Sequence, residues 1–520
     1  MKKIKYEILI AIFFILIRLP GLGHDNFNTD VWKWKVRSYD FSTAVFTFQP
    51  EMTLQKYHPG VTLMWIGTTA IKFANVIADY NGKLDELQKI FLLDRIQKYF
   101  LVLILAITTG FIFFVLKKLF NKKIASFAIL LLTLEPFYVA LTRVFHLEGL
   151  LSTFMLCSAL WFYYFLQDKS ESKRLYISAI FAGLALLTKT SAVYLLLFVG
   201  LMAIMQVWQT RKYKSEALWF IKWLLFSLLI SFIFWPALWV VPGQVFQELV
   251  RGVVDVGVDT EHVQFYFAKL VSDPGHFYFL VVLALRSSVY LFVGLLGLLF
   301  TFKKLDRPQK NFIFFLLIYS FFYFLQISIP SKKLDRYILP GLVSLSLCSS
   351  FFWFWLIEKI KLRVKYVLFF IPAVLTLFVL HPDYFSFYNP IFGGLKTGIN
   401  VLEPKWLIGE REILNYFKGK QYEASGLDES FEEVIYSGQN KNVLSVGFQE
   451  KYYTQIWPFF REINAWAVIQ DITPFALKTK YFVYPVWDDR YKEENRFSLK
   501  YLDDIKIRGV SAYRVYERML

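Results

Sequence analysis

Apolar runs about 17 to 25 residues long recur along this 520-residue chain. Each is long enough to cross a hydrocarbon layer about 30 Å thick as a helix. No single soluble core accommodates so many of them, so the chain is read as a polytopic membrane protein. The composition agrees: 56% of residues are hydrophobic and 20% aromatic, including 56 Phe. Apolar content this high excludes intrinsic disorder. The two cysteines, Cys157 and Cys348, both lie in apolar runs and read as small core hydrophobes, which excludes a disulfide scaffold.

Eleven spans are expected. They cover residues 6–19, 99–116, 124–141, 147–166, 175–187 and 192–208, then 218–241, 277–302, 311–329, 338–357 and 364–380. With the N-terminus in the cytoplasm, every cytoplasmic connection is basic. Examples are Lys2-Lys3-Lys5, Lys117 to Lys123, Lys303 to Lys310 and Lys359 to Lys365. This is the asymmetry that orients multi-pass chains. It also explains the net charge of +17 without a nucleic-acid partner. The excess sits among the spans, because residues 382–520 carry 18 basic and 19 acidic side chains. Residues 61–77 are apolar too, but counting them as a span would invert every later loop. They read as an interfacial or re-entrant segment. The basic start followed by an apolar run resembles a signal peptide, yet Arg18-Leu19-Pro20 ends it without a small-residue cleavage site, so an uncleaved first helix is expected.

The expected architecture is an all-α membrane domain over residues 1–381 with an outer loop over 21–98. A small extracytoplasmic α/β domain is expected over 382–520. In that domain a helix is expected at Glu410–Lys418, and strands at Asn442–Phe448, Lys480–Trp487 and Val510–Tyr516. The protein is placed in the cell (inner or plasma) membrane, C-terminal domain outside.

Charged groups in short outer turns are costly there and break the orientation pattern, so they are functional candidates. They are Asp30 and His58 in the first outer loop, then Arg143, His146 and Glu148 in the next turn. Lys189 lies between two spans, and Lys333, Arg336 and Tyr337 share one further outer turn. Carboxylates can take a proton from an acceptor hydroxyl, and cations can hold a phosphate leaving group. Bland alternatives stand beside each reading. Asp30 could cap a helix, Arg143 could snorkel, Lys189 could anchor a helix end, and Glu135 could be an acid paired with a nearby base. Lys332 reads as an interfacial anchor.

These motifs, taken in order, resemble the GT-C integral-membrane glycosyltransferases, in the protein O-mannosyltransferase-like and aminoarabinose-transferase-like branch. The family's Asp-Glu motif matches Asp30. Its His-Pro segment matches His58-Pro59-Gly60, and its Arg-x-x-His-x-acid turn matches Arg143, His146 and Glu148. Lys189 matches a Lys-Thr/Ser between helices. Lys333, Asp335, Arg336, Tyr337 and Pro340 match a basic turn, and Tyr384–Pro390 matches the post-membrane junction. The resemblance implies inverting transfer of a hexose, mannose above all, from a polyprenyl phosphate to a protein, lipid or glycan acceptor. It implies Asp30 and Glu148 as the catalytic carboxylates, with Asp30 the base. It gives donor-phosphate binding to Arg143, Lys189, Lys333 and Arg336, and substrate contacts to His58, His146 and Tyr337. Two departures stand out: Val31 replaces the family's second carboxylate, and Glu148 replaces an Asp. Asp25 lies five residues upstream and is a poor substitute. No metal site is expected from spacing, although histidines and carboxylates on one face leave a divalent ion open. A transporter or lipid flippase, or a catalytically weakened family member, remains the competing reading; intramembrane charge favours the first and Val31 the second.

Overall fold

The computed structural model describes residues 5–25, 27–81, 84–256, 263–362, 364–421, 444–470, 479–487 and 499–519. Its helices follow the apolar runs, because a segment in hydrocarbon must satisfy its backbone internally. In chain order they are α1 (Lys5–Arg18), α2 (Thr29–Phe46), α3 (Val61–Asn81), α4 (Glu86–Leu119), α5 (Lys122–Thr133), α6 (Pro136–Arg143), α7 (Leu147–Gln167) and α8 (Ser172–Thr188). Then come α9 (Tyr194–Thr210), α10 (Tyr213–Phe234), α11 (Ala237–Val240), α12 (Pro242–Arg251), α13 (Tyr278–Arg286), α14 (Val289–Thr301), α15 (Arg307–Ser328), α16 (Leu339–Glu358) and α17 (Lys365–Leu380).

Among the described residues, six helical stretches are long and apolar enough to cross a membrane, built on α4, α7, α9, α10, α15 and α16. Two bent pairs reach the same length and hydropathy only when taken together, α5 with α6 at 67° and α13 with α14 at 113°, each a broken span or a re-entrant loop. The chain is thus a multi-pass membrane protein. Three of the eleven expected spans form shorter helices, α1, α8 and α17, of 14, 17 and 16 residues. At 1.5 Å per residue they are about 21 to 26 Å long, short of a full hydrocarbon layer. Residues 61–77 belong to α3, which packs against α2 and α4.

Both bends have local causes. Pro136 cannot continue α5, since it lacks the amide proton and crowds the preceding turn. Ser288 begins α14 as its cap, accepting a hydrogen bond from the Leu291 amide at 3.1 Å. The two breaks then brace each other. Glu135 accepts from the Ser288 amide at 2.8 Å and the Ser288 hydroxyl at 2.6 Å. The partner of this intramembrane acid is therefore a hydroxyl and an amide rather than a base.

Helix α4 starts with a reciprocal cap between Asp85 and Gln88 and runs 34 residues, about 51 Å. Its first turns therefore project beyond the apolar layer, on the side where α1, α8 and α17 end.

On that side lie two short C-terminal helices, α18 (Gly394–Val401) and α19 (Glu410–Gln421), and beyond them α20 (Glu450–Glu462). A two-stranded hairpin, β1 (Gln264–Tyr266) with β2 (Lys269–Val271), lies in the outer loop before α13. The C-terminal sheet is built from β3 (Ser445–Phe448), β4 (Trp466–Ile469), β5 (Tyr481–Pro485), β6 (Leu499–Ile507) and β7 (Val510–Arg518). Its order is β4-β3-β5-β7-β6, with β3 parallel to both β4 and β5 and the other pairs antiparallel. The expected helix and three strands are present, except that residues 442–443 lie outside the described set. Helix α20 and strands β4 and β6 were not expected from sequence. The β6–β7 turn has Arg508 and Gly509 at φ +47° and +80°, the left-handed pair that a two-residue hairpin loop requires.

The C-terminal region grips the membrane domain. The Arg286 guanidinium donates to the Phe385 and Phe387 carbonyls, both at 2.8 Å, and pairs with Asp335. Trp32 of α2 donates to the Thr454 carbonyl of α20 at 2.6 Å and stacks on Trp457.

Candidate functional site

Four charged side chains and His146 converge at one end of the bundle. Asp30 sits in the first turn of α2, whose cap is Asn28, accepting from the Val31 amide at 2.9 Å. Asp30 is therefore not the cap, and its carboxylate is free to face outward from the helix. It accepts from Arg336 at 3.0 Å and lies 3.7 Å from His146 Nε2. Glu148, 1% exposed, opens α7. It pairs with Lys189 at 2.8 Å, lies 3.6 Å from Arg336 Nε, and is in direct ion-pair contact with His146 Nδ1. The Lys189 ammonium lies 4.1 Å from the Tyr337 ring centroid.

The backbone fixes this meeting. The α8 helix stops at Lys189, whose backbone turns to the extended region. The His58–Gly60 loop crosses that end: the Gly60 amide donates to the Thr188 carbonyl at 3.1 Å, and the Thr62 and Thr188 hydroxyls meet at 2.7 Å. Gly60 is at φ +60°, and a Cβ there would sit 2.0 Å from Trp34, so only glycine lets the loop pass. His58 is thereby held beside Lys189. Its Nδ1 is buried and makes no hydrogen bond among the described residues.

Burial and the neighbouring Lys189 push the His58 pKa down to about 3, so its imidazole is neutral at physiological pH. For Asp30 burial acts the other way, but Arg336 and His146 outweigh it and hold the carboxylate below its usual range. Asp30 is thus ionised in this state and bound to a cation.

A cavity of about 410 Å³ opens on these groups. His58, Glu148, Lys189, Lys332, Arg336 and Tyr337 line it, together with the apolar Leu151, Val193, Val253, Ile327 and Ile329. The lining thus combines three cations and one carboxylate with apolar side chains.

Two expected phosphate ligands lie elsewhere. Arg143 is 1% exposed and faces the opposite way: Nε and Nη2 donate to Asp25 Oδ2 at 3.1 and 2.8 Å, and Nη1 donates to the Arg18 carbonyl. It does not line the cavity. Lys333 is fully buried and pairs with Asp273 at 2.7 Å. Of the two adjacent lysines in that turn it is Lys332, expected as an interfacial anchor, that lines the cavity, together with Arg336. Adjacent residues in a non-helical turn point in different directions, and the sequence alone does not say which one faces inward.

Trp406, from the segment that follows the last membrane helix, was not singled out by sequence. Its ring meets His146 edge-on at 5.2 Å and lies 5.1 Å from the Arg336 guanidinium. Asp335 binds Arg286 at 2.7 Å, which fixes the turn that presents Arg336. Among the described residues, no three His, Cys, Asp or Glu side chains are placed to hold a metal ion. The site carboxylates meet cations instead of one another.

Comparison with known proteins follows this geometry. Residues 95–239 match the family described as dolichyl-phosphate-mannose-protein mannosyltransferase. That stretch holds Arg143, His146, Glu148 and Lys189, while Asp30, His58 and Arg336 lie outside it. A search of the curated proteins finds no match. Among solved structures, ArnT from Cupriavidus metallidurans bound to undecaprenyl phosphate is 14% identical, with 99% of this chain and 98% of that one covered and a TM-score of 0.49. The archaeal oligosaccharyltransferase AglB from Archaeoglobus fulgidus, in complex with an inhibitory peptide and a dolichol-phosphate, is 12% identical. There 98% of this chain and 73% of that one are covered, with a TM-score of 0.45. Over residues 95–239 the chain thus matches a membrane mannosyltransferase family, and the resemblance to the GT-C membrane glycosyltransferases read from its motifs is borne out there.

Proposed function

We propose that this protein transfers a sugar from a polyprenyl-phosphate donor to an acceptor hydroxyl at the outer face of the membrane. The observation that carries the reading is the cavity: Lys189, Lys332, Arg336 and the Glu148 carboxylate line it together with many apolar side chains. A lipid phosphate has the matching form, an anion on a hydrocarbon chain. The match of residues 95–239 to a lipid-phosphate-sugar transferase family supports the same class. The family name makes mannose the first sugar to test.

The chemistry assigned to the site is one displacement with inversion. The acceptor oxygen attacks the anomeric carbon and its proton passes to the Asp30 carboxylate. The bond from that carbon to the phosphate oxygen breaks, and the electron pair leaves on the lipid phosphate. Arg336 and Lys189 hold the phosphate and stabilise that charge. Glu148 keeps both cations in place before the donor arrives, and His146 lies between Glu148 and Asp30. A carboxylate pinned by Arg336 is a weak base. Donor phosphate competes for the same guanidinium, and Asp30 becomes a better acceptor as Arg336 turns to it.

The test is sugar transfer or release from a radiolabelled polyprenyl-phosphate hexose by the purified protein, with membrane extract as acceptor. Turnover that vanishes in Asp30→Asn supports the reading. Undiminished turnover in that variant would move the base elsewhere, with Glu148 next. Failure to bind any lipid phosphate would favour the transporter reading.

A further inference from the structure

The bundle carries a second large cavity, at the opposite end from the active site. It is a groove of about 630 Å³ between α1, α5 and α17. Phe13, Phe127, Leu134, Phe370 and Val374 are among its apolar lining, and Ser126 lies on its wall. Its mouth is different in kind, because Lys122 and Lys123, both exposed, stand there with Tyr366.

We propose that this groove holds one acyl chain of an anionic phospholipid from the leaflet opposite the active site, with its phosphate on Lys122 and Lys123. Three features point to that occupant. The first is length. Helix α5 has 12 residues and runs about 18 Å from the lysine mouth to the far end, close to half of a hydrocarbon core about 30 Å thick. The groove is therefore one leaflet deep. The second is charge. The carboxylate at this rim, Glu358, accepts from the Tyr366 hydroxyl, pairs with Lys365 at 3.6 Å and is also attracted by Lys123, so Lys122, Lys123 and Lys365 together leave the rim net positive. The ends of α4 and α17 add Lys117, Lys118 and Lys365 to the same side, although Lys117 is taken by Glu7. The third is the pairing of an apolar slot with a cationic mouth, which suits an anionic amphiphile better than a zwitterionic one. Lys122 also lies 3.4 Å from the Tyr6 ring centroid, which holds its ammonium at the rim instead of letting it extend into solvent.

The experiment is native mass spectrometry of the full-length protein, released from detergent after incubation with equal amounts of phosphatidylglycerol and phosphatidylcholine. The expected result is preferential retention of phosphatidylglycerol by about thirtyfold, the preference two lysines near an anionic phosphate contribute. The double variant Lys122→Gln/Lys123→Gln removes two exposed charges and should retain both lipids equally. Ser126→Trp fills the groove and should lose the bound lipid while the thermal midpoint stays unchanged. Equal retention by the unmodified protein would overturn the proposal. So would a preference that survives the double variant, since the phosphate would then bind elsewhere. Phosphatidylglycerol kept by folded Ser126→Trp would place the chain outside the groove and also overturn it.

Discussion

Two charge clusters lie at the same end of the bundle, and their contents are almost the same. One has Asp30 and Glu148 with Lys189, Arg336 and His146. The other has Asp25 and Asp94 with Lys35, Lys98 and Arg143. Their surroundings separate them. Every member of the second cluster is buried, and Lys98 and Asp94 are fully so. In the first, the Asp30 side chain is 28% exposed, and Glu148, Lys189 and Arg336 line the cavity of about 410 Å³. The matched charges of the second cluster tie the turn after α1 to α4 and α6, and of its members Asp25 lines a smaller cavity of about 260 Å³. A cluster with a cavity in front of it can exchange a partner for a ligand. Charge content does not tell the two apart, but the number of charged groups facing a cavity does: three in the first and Asp25 in the second.

Several variants would break or sharpen this contrast. The largest effect is expected from Arg336→Ala. It removes the cation shared by Asp30 and Glu148, and turnover should fall about a hundredfold to a thousandfold, as for loss of one preorganised charge donor. A clean rise in KM with unchanged kcat would mean that Arg336 only binds donor. Next is Arg143→Met in the second cluster. Leaving Asp25 buried with one partner fewer should cost about 3–5 kcal/mol of stability. Thermal unfolding would show it, and donor affinity of the surviving folded protein should stay near normal. A specific loss of donor binding at intact stability would return Arg143 to the active site.

A smaller effect is expected from pH. Asp30 lies below the usual carboxylate range, so its ionised form persists through mildly acidic conditions. The rate should stay level as pH falls from about 7 to 5 and drop only below about 4, where an ordinary carboxylate titrates. His58, at about 3, stays neutral over that range, so His58→Gln should leave the shape of the profile unchanged. A new acid limb near pH 6 would contradict both assignments. The smallest effect is expected from Trp406→Phe, which keeps an aromatic face toward Arg336 but shortens it. A several-fold loss in kcat/KM is expected, with little change in stability.

Much of this arrangement was legible in the sequence because its signals are local. A basic turn on the wrong side of the membrane marked Arg336, and a charged pair at a helix start marked His146 and Glu148. Lys189 stood out as a cation between two apolar runs. Arg143 looked the same by those criteria. Its partner, Asp25, is 118 residues away, and nothing local records that pairing. The choice between Lys332 and Lys333 was hidden for a different reason, since a non-helical turn has no period from which to read direction. Trp406 comes from a stretch without apolar periodicity and joins His146 across 260 positions of sequence only through docking of the segment after α17. The short helices α1, α8 and α17 show the same limit in the fold. Hydropathy marks an apolar run, while capping and packing decide where the helix stops.

The most direct test compares Asp30→Asn with Asp25→Asn in one preparation series, measuring sugar transfer and thermal midpoint for each. The expected result is a crossing pattern. Asp30→Asn keeps its midpoint and loses transfer by about a hundredfold or more, the range for removal of a general base. Asp25→Asn loses several degrees or more while its folded fraction still turns over. The reverse pattern, with transfer lost at Asp25 and kept at Asp30, would contradict the assignment of the first cluster to chemistry and the second to structure.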